Sequence, residues 1–205
     1  MGDARELPAG FTDRLDRLAR SYLSSDDPHL QSGFGGGAAR WRDEREPILT
    51  PVTRDGELLD VGCANGLLLA DLLAWGAERG VQLEPWGLDQ SADLVALARA
   101  RLPHFADHFF VGNAWSWSPP RRFRYVYSLA DVVPRDYLRA FVERLAREFV
   151  APGGVLILGS YGSVSRAIAP LELEAILSGF GHAVAGTTAA GEGPTVRFAW
   201  VDVPS

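Results

Sequence analysis

A largely apolar run, Leu58–Val61, passes directly into two closely spaced glycines, Gly62 and Gly66, and a second such run ends at Asp89. Short apolar runs bounded by turn residues are typical of buried strands. Because glycine has no Cβ, these two glycines allow the main chain to turn sharply and to lie against a ligand. An acid at the tip of the next strand is the usual partner of a ribose diol. The pattern therefore predicts a strand–turn–helix unit that binds a nucleoside-containing cofactor.

Strand-like and helix-like segments alternate from Leu58 onward. Such alternation is typical of a three-layer α/β fold with a largely parallel sheet and right-handed crossovers. We predict seven strands, over Leu58–Val61, Trp86–Asp89, Phe109–Val111, Tyr125–Tyr127, Val155–Leu158, His182–Ala185 and Val196–Val203. We predict helices over Leu67–Glu78, from Ser91 to Pro103, from Pro134 onward and over Pro170–Leu177. The link between the last two strands is too short for a parallel crossover, so we expect them to pair antiparallel.

The first 50 residues do not follow this alternation. Apolar side chains recur there at helical spacing, at Phe11, Leu15, Leu18 and Tyr22, and a second short helix is predicted from Trp41 to Leu49. A chain of 205 residues has the size of one ordinary domain. We therefore predict a single domain over residues 1–205, with an N-terminal helical cap over 1–50 and a cofactor-binding α/β core over 51–205.

Charge and cysteine content limit the classes of function. The net charge of −6 disfavours nucleic acid as a partner, although the basic cluster of Arg121, Arg122 and Arg124 keeps an RNA substrate open. Cys63 is the only cysteine, which excludes an internal disulfide and a cysteine zinc cluster and fits a reducing cytoplasm. The sequence has no run of about 18 apolar residues, so we expect no membrane helix. We expect a cytoplasmic protein acting on a small molecule, and we assign no oligomeric state.

Two common nucleotide-binding turns are missing. A dinucleotide fingerprint requires Gly-x-Gly-x-x-Gly, whereas this turn has Gly62, then Ala64, then Leu67. Without the middle glycine, the main chain is less suited to a pyrophosphate, which lowers the expectation of NAD or FAD. The phosphate-loop pattern that ends in Lys-Ser or Lys-Thr is also missing, since the chain contains no lysine.

Four short motifs resemble those of the class I S-adenosylmethionine-dependent methyltransferases, over residues 55 to 203. They are Asp60-Val61-Gly62-Cys63-Ala64-Asn65-Gly66, Gly87-Leu88-Asp89-Gln90-Ser91, Gly112-Asn113-Ala114 and Pro152-Gly153-Gly154-Val155-Leu156. The resemblance implies a Rossmann-like methyltransferase fold, S-adenosyl-L-methionine as the cofactor and S-adenosyl-L-homocysteine as the product. An antiparallel last strand is also usual in that family.

The resemblance assigns the methionine and ribose portions of the cofactor to residues near the first two strands. The loop that would wrap the methionine portion consists of Gly62, Cys63, Ala64, Asn65 and Gly66. Asp60 would either order this loop or meet the amino group of the cofactor. Asp89 would bind the ribose hydroxyls.

The adenine and the sulfonium are assigned to residues farther along the chain. Gln90 would lie near the adenine, and Asn113 and Ala114 would line the adenine pocket. Asn113 stands where the family often has an aspartate, and its amide oxygen is still an acceptor. Ser128 and Leu129 would lie under the sulfonium, at the end of the fourth strand.

Methyl transfer from a sulfonium is an in-line displacement, which an enzyme promotes by alignment and by removing a proton from the nucleophile. Asp131 is our candidate for the general base or for a ligand of a substrate amine, and a helix cap explains it equally well. Tyr161 either faces the substrate or packs on the cap. No cluster of metal ligands is evident. We expect a methyltransferase acting on an oxygen or nitrogen of a small-molecule acceptor, with an RNA methyltransferase or a non-catalytic cofactor-binding accessory protein as the alternatives.

Overall fold

Seven strands form one sheet in the computed structural model, which describes residues 6–163, 166–191, 193 and 195–205. The strands are β1 (Gly56–Val61), β2 (Leu83–Asp89), β3 (Phe109–Val111), β4 (Phe123–Leu129), β5 (Val150–Tyr161), β6 (Gly186–Ala190) and β7 (Val196–Asp202). Their order across the sheet is β3-β2-β1-β4-β5-β7-β6. Strands β1 to β5 are mutually parallel, and β7 runs antiparallel to both β5 and β6. The predicted fold class and the antiparallel pairing of the last two strands are confirmed.

Six α-helices accompany the sheet within the described residues: α1 (Ala9–Tyr22), α2 (Gly37–Arg45), α3 (Leu67–Glu78), α4 (Ala92–Arg101), α5 (Leu138–Arg144) and α6 (Leu173–Gly179). Short 3-10 segments lie at Leu30–Ser32, Glu46–Leu49, Pro103–His108 and Arg135–Tyr137, and a π-helical turn, Leu145–Phe149, continues α5. Helix α3 has the predicted bounds. The predicted cap of α4 is also present, since the Ser91 hydroxyl accepts a hydrogen bond from the Leu94 amide at 3.4 Å.

Helices cover both faces of the sheet, and strand alternation explains which side chain meets which layer. Successive residues of a strand point to opposite faces. Leu58 accordingly packs in one buried cluster with side chains of α3 and α4, whereas Leu59 packs in a second cluster with side chains of α5 and α6. These two clusters are the two interfaces of a three-layer fold.

The end of the chain differs from the prediction in its bounds. The strand predicted over His182–Ala185 is wrong, because β6 begins only at Gly186. Pairing with β7 runs from Ala190, opposite Val196, back to Gly186, opposite Trp200. His182 instead completes the end of α6, where its amide donates to the Leu177 carbonyl at 3.1 Å.

The N-terminal helices are held to the core in two different ways. Helix α2 is anchored by Trp41, which is buried and donates from Nε1 to the Asp71 carboxylate of α3 at 2.6 Å. Helix α1 has no buried residue. Within the described ranges, no helix combines the length and the apolar character required to span a bilayer.

Candidate functional site

A cavity of about 490 Å³ opens beyond the carboxyl ends of β1, β2, β3 and β4. The order of the strands reverses between β1 and β4, and ligands of open α/β sheets bind at such a switch point. Its floor consists of residues that follow these strands, and α1 supplies the opposite wall. Seven of the predicted cofactor residues line it: Gly62, Ala64, Asp89, Gln90, Asn113, Ala114 and Leu129.

The loop after β1 is held against β2 by its own main chain. The amides of Gly62 and Cys63 both donate to the Leu88 carbonyl, at 2.7 and 3.0 Å. Gly62 has φ +101°, a conformation that side chains other than glycine rarely adopt, and a Cβ there would lie 3.2 Å from Val132. The loop therefore presents bare main chain to the cavity, as a close-fitting ligand requires.

Gly66 fixes the start of α3 against α4. Its φ is +71°, and a Cβ there would lie 2.8 Å from the Cβ of Ala98 and 3.0 Å from its Cα. We expect Gly66→Ala to lower the free energy of unfolding by more than the roughly 1–2 kcal/mol that the left-handed conformation alone costs, because α4 must also shift. Urea unfolding measures the change. The matched control is Gly80→Ala, where φ is +77° and no atom lies within 4 Å of the new Cβ; equal losses in the two variants would contradict the steric argument.

Asp89 bridges the glycine loop and the start of α4. One carboxylate oxygen accepts from the Ala64 amide and the other from the Ser91 amide, both at 2.9 Å. Burial raises the pKa of this carboxyl, and the Ser91 and Ala64 amides oppose that rise. A carboxylate accepts about four hydrogen bonds, so each oxygen keeps a lone pair for a ligand in the cavity.

Asn65 joins the loop to the N-terminal segment instead of lining the cavity. Its side chain is fully buried and donates to the Pro28 carbonyl at 2.9 Å and to Gln31 at 3.2 Å. Its oxygen accepts from the Leu67 amide at 3.1 Å and from the Ser32 hydroxyl at 2.6 Å. Cys63 and Gly66 also lie behind the lining residues. These three residues shape the loop from behind.

Asp60 is a nearly inaccessible carboxyl, 3% exposed, at the carboxyl end of β1. Within the described part of the chain, no side-chain hydrogen bond or ion pair of Asp60 is present. Burial, followed by the charge of Asp89, raises the pKa of Asp60 to about 8. Asp60 does not line the cavity itself. It lies behind the loop as a carboxyl without a compensating cation.

Asn113 and Gln90, the two polar residues predicted to lie near the adenine, also form hydrogen bonds within the protein. The Asn113 side-chain oxygen accepts from the Trp115 amide at 2.9 Å, which leaves its amide donors for the cavity. Gln90 donates from Nε2 to Asp16 of α1 at 3.0 Å. Gln90 thus links the cavity floor to the helix that covers it.

Ser128 and Leu129, at the end of β4, were both predicted to lie under the sulfonium, but only one of them lines the cavity. Leu129 lines the cavity. Ser128 is fully buried, and its hydroxyl donates to the Val61 carbonyl of β1 at 3.1 Å. The structure therefore joins Leu129, but not Ser128, to the site.

Asp131 lies on the cavity wall just beyond β4. Its surface is open to the cavity, yet desolvation raises the pKa of its carboxyl, and the Arg14 guanidinium opposes the rise. A carboxylate whose pKa is moved toward neutrality is better matched to accepting a proton from a nucleophile.

Tyr161 is not a lining residue. Its hydroxyl lies 2.7 Å from the hydroxyl of Tyr127, and the Arg45 guanidinium lies 3.7 Å above its ring. Both tyrosines are enclosed behind the cavity floor, where burial raises their pKa values. The geometry thus puts Asp131, and not Tyr161, beside the space where a substrate would enter.

Helix α1 contributes lining residues that sequence reasoning did not assign to the site. Leu15, Leu18 and Tyr22 face the cavity, so the predicted apolar stripe covers a binding space instead of a packed core. Burial, followed by the charges of Asp131 and Asp89, raises the pKa of Tyr22 to about 12. The Tyr22 hydroxyl therefore stays neutral in a cavity that Asp89 and Asp131 also line. The helical spacing of these residues was visible in the sequence, but spacing alone does not show whether such a stripe faces a packed core or a cavity.

Comparison with known proteins agrees with this geometry. Residues 58–154 match the family model described as a methyltransferase domain. The chain is similar in structure to the N-methyltransferase NodS from Bradyrhizobium japonicum WM9 in complex with S-adenosyl-L-homocysteine, with a TM-score of 0.70, 15% identity and coverage of 93% of this chain and 98% of that one.

Two further solved structures have the same fold. DhpI in its complex with SAM and HEP gives a TM-score of 0.65 at 20% identity, over 95% of this chain and 99% of that one. A SAM-dependent methyltransferase from Aquifex aeolicus gives 0.61 at 16% identity, over 90% and 97%. No curated protein matches at the level of sequence.

Proposed function

We propose that the chain is a class I S-adenosylmethionine-dependent methyltransferase that transfers a methyl group to an oxygen or nitrogen of a small-molecule acceptor. The observation that carries this proposal is the shared cavity, which joins the glycine loop, Asp89 and Asp131 in one space beside the sheet. The cofactor is S-adenosylmethionine. The cavity residues fit it, since bare main chain at Gly62 and free carboxylate lone pairs at Asp89 face the same space.

We assign the cofactor contacts to residues of the cavity floor. Gly62 and Ala64 would lie along the methionine portion, and Asp89 would accept the ribose hydroxyls. Asn113 and Gln90 would direct amide groups toward the adenine. Asp60, Cys63, Asn65 and Gly66 would act from behind the loop by holding its shape or its charge.

We assign proton removal to Asp131, because it is the cavity carboxylate that is not engaged by loop amides. When bound, the cofactor would supply a methyl group on a positively charged sulfur for the acceptor atom, and the sulfur would keep the electron pair of the broken carbon–sulfur bond. Asp131 would accept the proton that the acceptor oxygen or nitrogen loses. Leu129 and the apolar side of α1 would exclude water from this space.

An RNA substrate is less well supported by the surface arginines. An RNA-binding face would need Arg121, Arg122 and Arg124 together with cap arginines such as Arg40 and Arg42 as free cations, but Arg121 is paired with Glu57. Arg40 and Arg42 are paired with Glu44 and Glu46, at 2.7 Å in each case. A small molecule that enters the cavity is therefore the better proposal. The buried free thiol of Cys63 supports a reducing compartment, so the cytoplasm remains the proposed location.

A thermal-shift comparison tests the cofactor. S-adenosylhomocysteine at about 100 times its dissociation constant should add roughly 2.7 kcal/mol to the free energy of unfolding and raise the midpoint by about 5–10 °C. NADH at the same concentration is the control and should leave the midpoint unchanged. A response to NADH alone would overturn the assignment. Cofactor binding without turnover on a broad panel of acceptors would favour the accessory protein.

A further inference from the structure

Three arginines line the candidate cavity: Arg14 and Arg17 on α1, and Arg166 beyond β5. Within the described residues, none of the three has a carboxylate oxygen within 4.0 Å. By contrast, most arginines on the outer surface near α2 and α3 form salt bridges. Arg42 and Arg79, for example, contact the Glu46 carboxylate at 2.7 and 2.8 Å. The cavity lining therefore combines three guanidinium groups, none of them in a salt bridge within the described residues, with the carboxyl groups of Asp89 and Asp131, in a chain whose net charge is −6.

The contacts of Arg14 and Arg166 are with uncharged groups. Arg14 rests on the ring of Phe11, with its guanidinium carbon 4.7 Å from the ring centre. Arg166 donates from Nε to the Ser163 hydroxyl at 3.3 Å, a neutral acceptor. Arg14 and Arg17 are three residues apart on α1 and so project from one face of the helix. None of these contacts neutralises a guanidinium group.

Arg14 lies on the side of the cavity where the methyl acceptor would bind, near Asp131. Arg14 and Asp131 both line the cavity, and desolvation raises the pKa of Asp131 while the positive charge of Arg14 opposes that rise. The predicted ribose and adenine residues, Asp89 and Asn113, lie toward β2 and β3 instead. Arg14 is accordingly placed for the molecule that receives the methyl group, and Arg17 and Arg166 line the same cavity.

We propose that the acceptor carries an oxyanion, a carboxylate or a phosphoryl group, which Arg14, Arg17 and Arg166 bind while its oxygen or nitrogen nucleophile faces Asp131. This inference rests on the proposed methyltransferase function. Guanidinium groups suit both kinds of oxyanion, because their parallel N–H donors match the spacing of two oxygens. A basic cavity on an acidic protein also attracts anions from solution and guides them to the site.

The methionine carboxylate of the cofactor is the competing occupant of these arginines, and calorimetry separates the two. S-adenosylhomocysteine is titrated first into the wild-type protein and into Arg14→Gln, Arg17→Gln and Arg166→Gln. We expect its affinity to be unchanged in all three variants. If the affinity falls in these variants, the arginines bind the cofactor, and the proposal is overturned.

The second titration uses protein saturated with S-adenosylhomocysteine and a panel of matched probes. Each aryl or alkyl carboxylate and phosphonate is paired with its neutral amide or ester. We expect at least one anionic probe to bind more tightly than its neutral partner, and each arginine variant to weaken that binding about tenfold or more. Comparing carboxylates with phosphonates shows which oxyanion is preferred. Arg20→Gln, which removes an exposed charge of α1 outside the cavity lining, is the matched control and should bind the anion normally.

The outcomes distinguish this inference from the proposed function. If S-adenosylhomocysteine binds and no anion exceeds its neutral partner, the acceptor inference fails while the methyltransferase proposal stands. If S-adenosylhomocysteine itself does not bind, the proposed function fails. If Arg20→Gln weakens the anion as much as Arg14→Gln does, the effect comes from overall charge, and the proposed contacts are wrong.

Discussion

Asp89→Ala is expected to weaken the binding of S-adenosylhomocysteine by roughly 100-fold or more. A hydrogen bond to a charged group contributes about 1.5–3 kcal/mol, and each 1.4 kcal/mol is tenfold in affinity. Asp89 would lose two such bonds to the ribose diol, and it would also lose the bonds that hold the Ala64 and Ser91 amides. Isothermal titration calorimetry measures the loss. Asp93→Ala removes the same charge from an exposed position on α4 and should bind normally.

A second ligand separates the two roles of Asp89. In the 2′-deoxy analogue of S-adenosylhomocysteine, one of the proposed hydroxyl donors is missing. The wild-type protein should prefer the natural ligand by about tenfold, and Asp89→Ala should have no preference, because the interaction is already lost. Equal affinities of the wild-type protein for both ligands would show that the carboxylate only pins the loop.

Much of this site follows from local sequence. The turn between β1 and α3 is encoded by Gly62 and Gly66 together with the flanking apolar periodicity, and the helix bounds 67–78 were predicted correctly. Asp89 was located because the carboxyl ends of adjacent parallel strands meet at one edge of a sheet. These features depend on spacing within about 30 residues, over which a sequence pattern is a reliable guide.

Other features depend on tertiary packing that local pattern does not reveal. At the end of β4, a shift of one residue reverses the face that a side chain points to, so Ser128 and Leu129 were assigned together although only Leu129 lines the cavity. The arginines of α1 flank an apolar stripe that is equally typical of a helix packed in a core. The sequence left two roles open for Tyr161, facing the substrate or packing on the cap, because its hydrogen-bond partner Tyr127 lies 34 residues away in sequence.

Asp60→Asn is expected to remove a steep pH dependence from the stability of the ligand-free protein. Burial, followed by the charge of Asp89, raises the pKa of this carboxyl from 3.8 to about 8 in the fold. Between these values the folded state binds one more proton than the unfolded state, so stability falls as pH rises, by up to about 1.4 kcal/mol for each pH unit. Urea unfolding from pH 5 to 8 should show this slope in the wild-type protein and in Asp107→Asn, an exposed control, but a shallower slope in Asp60→Asn.

The same carboxyl distinguishes the two roles that the sequence left open for Asp60. At pH 7 its raised pKa keeps most of it protonated without a ligand. If the cofactor's ammonium group approaches it, the charged carboxylate is favoured and a proton is released on binding. Calorimetry in two buffers of different ionisation enthalpy should detect this release for S-adenosylhomocysteine with the wild-type protein but not with Asp60→Asn. Equal proton release in the two proteins would show that the Asp60 carboxyl does not ionise when the ligand binds. The role of Asp60 would then be only to order the loop.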